Sequence, residues 1–225
     1  MFETTMPEII LTTWDKRRIM SDSQQEKSTL LKWGKQAYRF RSVTPVPLLI
    51  AAIWLSNPSL NTIIIGSILA VIGEGIRMLA MFETHNKTST RGKVASSDAL
   101  VATGIYTYTR NPLYLGALFT GLGYMVVTGC VIMVAVFLVL FAVQYYLIIR
   151  YEEDYLRGKF PADFEEFFSS NPRFFPRFKS TGSPITIPNF TLLRGALYRE
   201  RSTILGLIVV ISLLAYAPEI RSLFG

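Results

Sequence analysis

The sequence predicts an all-α polytopic membrane helical bundle of about five transmembrane helices, with a central helical hairpin and a cytoplasmic C-terminal segment. Three observations carry that expectation. Half of the 225 residues are hydrophobic and only 17% are charged, and the mean hydropathy of +0.34 is too high for an ordinary water-soluble domain. The apolar residues gather into five runs, 43–56, 60–82, 112–128, 131–149 and 203–217. The middle three approach the roughly 20 residues that cross a hydrocarbon core, and the outer two are short. Finally, Lys and Arg, apart from Arg77 and Arg221, fall in the segment before the first run and in certain connections between the runs.

That distribution sets the expected topology. Basic residues cluster in the N-terminal segment (Lys16 to Arg41), around Lys87, Arg91, Lys93 and Arg110, and from Arg150 to Arg201, whereas the short connections near Asn57 and Gly129 have none. Basic segments stay on the cytoplasmic side, so a five-span chain starts inside and ends outside. The expected location is a bacterial inner membrane, with the N-terminus cytoplasmic. The net charge of +7 then follows from topology and anionic lipid, and nucleic acid is not an expected partner. Cys130 and His85 are the single cysteine and histidine, which excludes a disulfide framework, a Cys/His metal centre and a His-based triad.

Along the chain, residues 1–42 read as an N-terminal cytoplasmic or interfacial segment, 43–178 as a membrane core, and 179–225 as a linker with a last transmembrane helix. No signal for a removed secretory peptide precedes the first run. Ser23 and Glu26 have capping-box spacing, which predicts a helix over 23–41. Glu74 and Arg77 lie on one face of the second run, as a structural pair or as the lining of a site. The runs 112–128 and 131–149 are joined by almost nothing and so form an antiparallel hairpin. Arg110, Asn111 and Pro112 at its start then lie level with Glu152 and Glu153 at its end. Leu156, Phe160, Phe164, Phe167 and Phe168 recur at helical spacing, which predicts cytoplasmic helix beyond the hairpin.

Asn111 and Pro112 make a good helix start, with Asn as cap and Pro in the first turn. The free N–H groups there, with Arg110 and neighbouring tyrosines, also suit an anion. The Glu152–Glu153 pair opposite should draw a cation. Together they suit a zwitterion with an added positive charge, of which S-adenosylmethionine is one example. A plain Arg110–Glu152 salt bridge closing the hairpin accounts for much of the same pattern.

The stretch "LVATGIYTYTRNPLYLG" closely resembles the L-V-x-x-G-x-Y-x-x-x-R-H-P-x-Y-x-G pattern of the isoprenylcysteine carboxyl methyltransferase and phospholipid N-methyltransferase superfamily of integral membrane enzymes. Glu152 to Phe160 and Phe164 to Pro176 are similar to that family's second motif, and the likeness covers about residues 60–178. The resemblance implies a catalytic cytoplasmic segment and S-adenosylmethionine as methyl donor, with S-adenosylhomocysteine as product. It implies that Asn111, Pro112, Leu113 and Tyr114, with Leu100, Val101 and Tyr106, contact that cofactor. Glu152 would hold it from the opposite side, and Asp98 is a weaker polar ligand. Arg110, Glu153 and Arg173 are the expected catalytic residues, Arg173 near the donor or acceptor group. The acceptor would be a membrane lipid or lipidated molecule, carrying a prenylcysteine-like carboxylate or an amine, and no metal is expected. Gly121 and Gly123 stand where the phospholipid branch has a Gly-x-Gly element, but such glycines also serve close helix packing.

This chain departs from the pattern in four places: Asn111 for His, Pro161 for Gly, and Phe164 and Phe167 for Tyr. Two other classes stay open on the sequence. One is a membrane NADPH-dependent reductase of the sterol or steroid kind, which shares Arg-x-Pro-x-Tyr-x-Gly. The other is a non-catalytic membrane protein that keeps the fold.

Overall fold

Small residues recur along two apolar helices at spacings that put them on one face: Gly66, Ala70 and Gly73 on one, Gly116, Thr120 and Gly123 on the other. In the computed structural model those faces meet backbone to backbone. A Cβ added at Gly73 would stand 2.4 Å from the Thr120 amide nitrogen, and one at Gly123 would stand 2.5 Å from the Gly66 carbonyl oxygen. The structure describes residues 13–84, 88–89, 96–97, 100–177 and 190–223.

Among these residues the helices are α1 (Thr13–Phe40), α2 (Pro45–Leu55), α3 (Leu60–Thr84), α4 (Pro112–Val127), α5 (Val131–Lys159), α6 (Pro161–Ser170), α7 (Phe190–Ala215) and α8 (Ala217–Ser222). A 3-10 turn spans Gly104–Thr107, and Thr88–Ser89 pairs with Ser96–Ser97 in a short antiparallel ladder. Two helices, α3 and α5, are long and apolar enough to cross a membrane. α2, α4 and the Arg201–Ala215 part of α7 are shorter apolar helices.

α4 and α5 form the expected hairpin. Gly129 turns the chain with φ +68°, a conformation that favours glycine, and a side chain there would also strike the Asn57 carbonyl. The Asn57 N–H donates to the Thr128 carbonyl at 2.8 Å, and the Ser56 hydroxyl donates to the Leu214 carbonyl at 2.8 Å. Arg221 reaches back to the carbonyls of Trp54 and Ser56. The two uncharged connections and the end of α7 therefore meet at one end of the bundle, over an apolar cluster of Ala52, Met125, Val127, Met133 and Leu214.

Two element boundaries differ from expectation. The first helix starts at Thr13, not Ser23, so the capping-box residues sit inside it. Their neighbours are good helix formers, which lets the helix run through a pattern that could also have started one. The apolar run 131–149 continues as one helix to Lys159 and stops at Phe160, because Pro161 cannot extend it and instead opens α6.

α1 packs antiparallel along the end of α5. Gly34 abuts the Leu147 carbonyl, Tyr38 packs with Ile148 and Tyr151, and Lys27 meets Asp154 at 3.1 Å.

The α3–α4 contact yields a stability test. Gly73→Leu is expected to lower stability in detergent by about 1–3 kcal/mol or more, because backbone rather than a movable side chain blocks it. Gly75, with nothing within 4 Å of its Cβ position, is the control. Gly75→Ala should leave the thermal midpoint unchanged or raise it.

Candidate active site

The polar threshold of α4 is built from two chain segments far apart in sequence. The Arg110 N–H donates to the Pro172 carbonyl at 2.9 Å, and the Arg177 N–H donates to the Tyr108 carbonyl at 3.0 Å. The Thr109 hydroxyl donates to the Phe174 carbonyl at 2.8 Å. Asn111 adds a side-chain tie, Nδ2 to the Arg173 carbonyl, also at 2.8 Å. This corrects the capping expectation. Asn111 stands at the cap position and Pro112 begins the helix, but with φ −126° and ψ 55° the Asn side chain makes no cap bond. The first turn of α4 is left without a side-chain cap.

A cluster of charges sits beside this joint. Arg173 grips Glu153 in a bidentate pair, Nε at 3.1 Å and Nη2 at 2.7 Å. Arg110 Nη2 approaches the same carboxylate at 3.1 Å, while its Nη1 donates to the Phe168 carbonyl and its guanidinium lies 3.8 Å over the Phe168 ring. The expected Arg110–Glu152 bridge is therefore an Arg110–Glu153 bridge. Neighbouring residues on a helix point about 100° apart, so only one carboxylate can face this joint.

Glu152 faces the other way, into a cavity of about 660 Å³. That volume lies within the range of small-molecule sites. Three residues past the apolar run that ends at Ile149, Glu152 accepts a hydrogen bond from the Tyr114 hydroxyl. Burial pushes its carboxyl up to about 7, against the pull of Tyr114 and Arg41 and with the help of Glu153. Burial, then Glu152 and Glu83, push the Tyr106 hydroxyl well up as well.

Of the residues expected from sequence, Leu100, Val101, Tyr106, Arg110, Asn111, Pro112, Leu113, Tyr114, Glu152 and Glu153 all line this cavity. Arg173 does not reach its wall and stands behind Glu153. Asp98 lies outside the described residues. Phe164 and Phe167, two of the departures from the family pattern, are buried on the wall. Gly104, at φ +56°, lies against the Glu83 side chain, which accepts a hydrogen bond from Thr103. No other residue fits there without displacing Glu83.

Sequence reasoning missed the contribution of α1 and the segment after it. Tyr38, Arg41, Ser42 and Thr44 line the cavity, as do Arg77 from α3 and Gln144 and Tyr145 from α5. The available signal was Gly34, the small residue that lets α1 approach α5. Tyr114 meets Tyr145 edge-on at 4.8 Å, and Tyr145 stacks on Phe141 at 4.0 Å, giving the cavity an aromatic wall.

Residues 61–163 match the family model described as phospholipid methyltransferase. That segment, a little under half of the chain, is similar to the phospholipid methyltransferase family and holds the first of the two motifs quoted above. It is 32% identical over 124 residues to the cobalt-zinc-cadmium resistance protein CzcN of Cupriavidus metallidurans, covering 55% of this chain and 52% of that one. It is 29% identical over 124 residues to the nickel-cobalt-cadmium resistance protein NccN of Alcaligenes xylosoxydans xylosoxydans, covering 55% and 53%. The chain thus spans about half the length of the curated relatives it matches. No solved structure matches.

The two neighbouring glutamates should behave oppositely on substitution. Glu153→Gln leaves Arg110 and Arg173 without a counter-charge and should cost about 3–5 kcal/mol, read by thermal unfolding in detergent. Glu152→Gln removes a carboxyl whose pKa rises from 4.5 in the unfolded chain to about 7 on folding. The folded state holds that proton more tightly, so the contribution is present below pH 4.5 and is lost as pH rises through about 7. The wild type should therefore lose stability relative to Glu152→Gln across that window.

Proposed function

We propose that this protein transfers a methyl group from S-adenosylmethionine to a lipid or lipid-modified acceptor. The observation that carries this reading is the half-buried Glu152 carboxyl, hydrogen-bonded by Tyr114 in an aromatic-walled cavity beside the uncapped start of α4. The residues present fit the cofactor: a helix start for a carboxylate, a glutamate for an ammonium, and ring faces for a sulfonium. When bound, S-adenosylmethionine supplies a methyl group already activated for displacement.

The protein's part is mainly positioning. Methyl transfer needs donor and acceptor about 3 Å apart, in line and shielded from water. The Arg110–Glu153–Arg173 cluster serves that end by clamping the two motif segments together, so that α4 starts at a fixed place. These three residues, expected from sequence to be catalytic, take a positioning role in this reading. Glu152 is the proton acceptor if the acceptor is an amine, because a carboxyl near 7 can take a proton at neutral pH. A carboxylate acceptor needs no base.

The topology that goes with this function has five crossings, α2, α3, α4, α5 and α7, with the N-terminus cytoplasmic in a bacterial inner membrane. The meeting of the α2–α3 connection, the α4–α5 turn and the end of α7 at one end of the bundle supports it. Leu48, Phe137, Leu140 and Thr203 extend the cavity between the apolar helices, which suits an acceptor arriving from the bilayer.

Calorimetry of the detergent-purified protein tests the reading. S-adenosylhomocysteine should bind with a Kd on the order of micromolar, and Glu152→Gln should weaken it at least about tenfold. Binding of NADPH without S-adenosylhomocysteine would sink the proposal in favour of a reductase, and binding of neither would favour a non-catalytic protein.

A further inference from the structure

Three side chains stand between the cavity and the apolar end of the bundle. Leu48 on α2, Tyr124 on α4 and Phe137 on α5 line the cavity, and all three also pack against the cluster of Ala52, Met125, Val127, Met133 and Leu214. They form a floor to which each of three helices contributes one residue. Phe137 is seated against α4. A Cβ added at Gly121 would stand 2.4 Å from Phe137 Cζ, so the ring lies on the bare face of that helix, and along α5 it meets the Phe141 ring at 5.5 Å. The two glycines of the Gly121-Leu-Gly123 element thus have separate uses: Gly123 lets α4 approach α3, and Gly121 makes room for the ring that closes the cavity.

The opposite end of the cavity is Glu152. Phe137 and Glu152 both line it, and α5 rises about 22 Å between them at 1.5 Å per residue. For a volume of about 660 Å³ this is a long slot. Its charges are gathered in the Glu152 half. Arg110 and Glu153 belong to the joint at the start of α4. Tyr38 packs with Ile148 and Thr44 is bonded to Gln144, so Arg41 lies between those two levels of α5. Arg77 stands at the level of Gly116. Nearer the floor the described lining residues are uncharged, and Ala117, Leu140 and Phe141 supply much of the wall.

We infer that Phe137, with Leu48 and Tyr124, sets the length of the apolar chain that the methyl acceptor carries. This rests on the methyl-transfer reading and deepens it. An acceptor whose reactive group sits near Glu152 lays its chain along the slot, and the chain ends where it meets the Phe137 ring. A longer chain lifts the reactive group away from the donor, which has to be about 3 Å distant and in line. Leu48 lies outside residues 61–163, so the limit depends on the N-terminal part of this chain as well as on the segment that matches the family.

The test is equilibrium binding of straight-chain alkylamines, differing only in chain length, to the full chain in a non-ionic amphipol. Each methylene that enters the slot should tighten binding about fourfold, and the gain should stop at one chain length. Partition into the amphipol rises smoothly and shows no such break. Phe137→Ala and, less strongly, Phe137→Leu should move the break to longer chains, and Phe137→Trp should move it to shorter ones. Met133, one turn along α5 in the same cluster but not on the cavity wall, is the control for general loosening. Met133→Ala should leave the break in place. No break in the wild type, a break that none of the Phe137 variants moves, or one that Met133→Ala moves as far as Phe137→Ala would overturn the inference. S-adenosylhomocysteine binding, measured on the same samples, separates this result from the reading beneath it. A break in a wild type that does not bind S-adenosylhomocysteine would defeat methyl transfer and leave the floor standing. Binding of S-adenosylhomocysteine without a break would keep methyl transfer and remove the floor.

Discussion

The contact between α3 and α4 is the constraint on which the rest depends. Helices in a membrane gain little from burying apolar surface, because lipid is equally apolar, and close van der Waals packing takes over. Gly66 and Gly73 face Gly123, Thr120 and Gly116 with carbonyls and amides in direct contact. That approach fixes the start of α4 relative to the C-terminal end of α3. It brings Arg77 across Gly116 into the cavity, and it sets Glu83 against the one residue, Gly104, that leaves room for it. The same small side chains that join the helices also determine which charges reach the site.

Once α4 is placed, adjacent glutamates on α5 receive different environments. Glu153 meets two guanidiniums, Arg110 at 3.1 Å and Arg173 at 2.7 Å. Glu152 meets a tyrosine and a largely aromatic cavity, and its carboxyl rises to about 7. Two acids one residue apart thus have different partners, one a pair of guanidiniums at the joint and one a tyrosine in the cavity. The division depends on helix geometry, since consecutive side chains diverge by about 100°.

The apolar runs and the α4–α5 hairpin were legible in the sequence, because hydropathy and a short connection determine them locally. So was the start of α4, where Pro112 follows Asn111. What Asn111 bonds was not legible, because its partner, the Arg173 carbonyl, is 62 residues away and is brought there by the fold. The partner of Arg110 was misread by one residue for a similar reason: level along the helix can be read from spacing, but which of two neighbours turns toward the joint depends on how α5 is rotated. The role of α1 was hidden because its charged, Trp- and Tyr-bearing face suits lipid headgroups as well as it suits α5. Only Gly34 and the aromatic packing of Tyr38 distinguish the two, and both act through contact with Leu147, Ile148 and Tyr151.

The four departures from the family pattern bear on whether the chain has lost its chemistry or adjusted it. A site drifting without constraint would leave holes or unmatched polar groups. Asn111 instead keeps a donor and uses it to join the two motif segments, and Pro161 takes the first position of α6, where its missing N–H costs nothing. Phe164 and Phe167 are 1% and 6% exposed, so a hydroxyl at either place would need a buried partner. Each departure therefore fits its surroundings, and none of them alters the Tyr114–Glu152 pair that faces the cavity. Asn111, Phe164 and Phe167 stand on the cavity wall and Pro161 at the joint between α5 and α6, while Tyr114 and Glu152 keep the residue types of the family pattern. The departures are thus accommodated by the packing around them, and the cavity keeps its tyrosine–carboxyl pair.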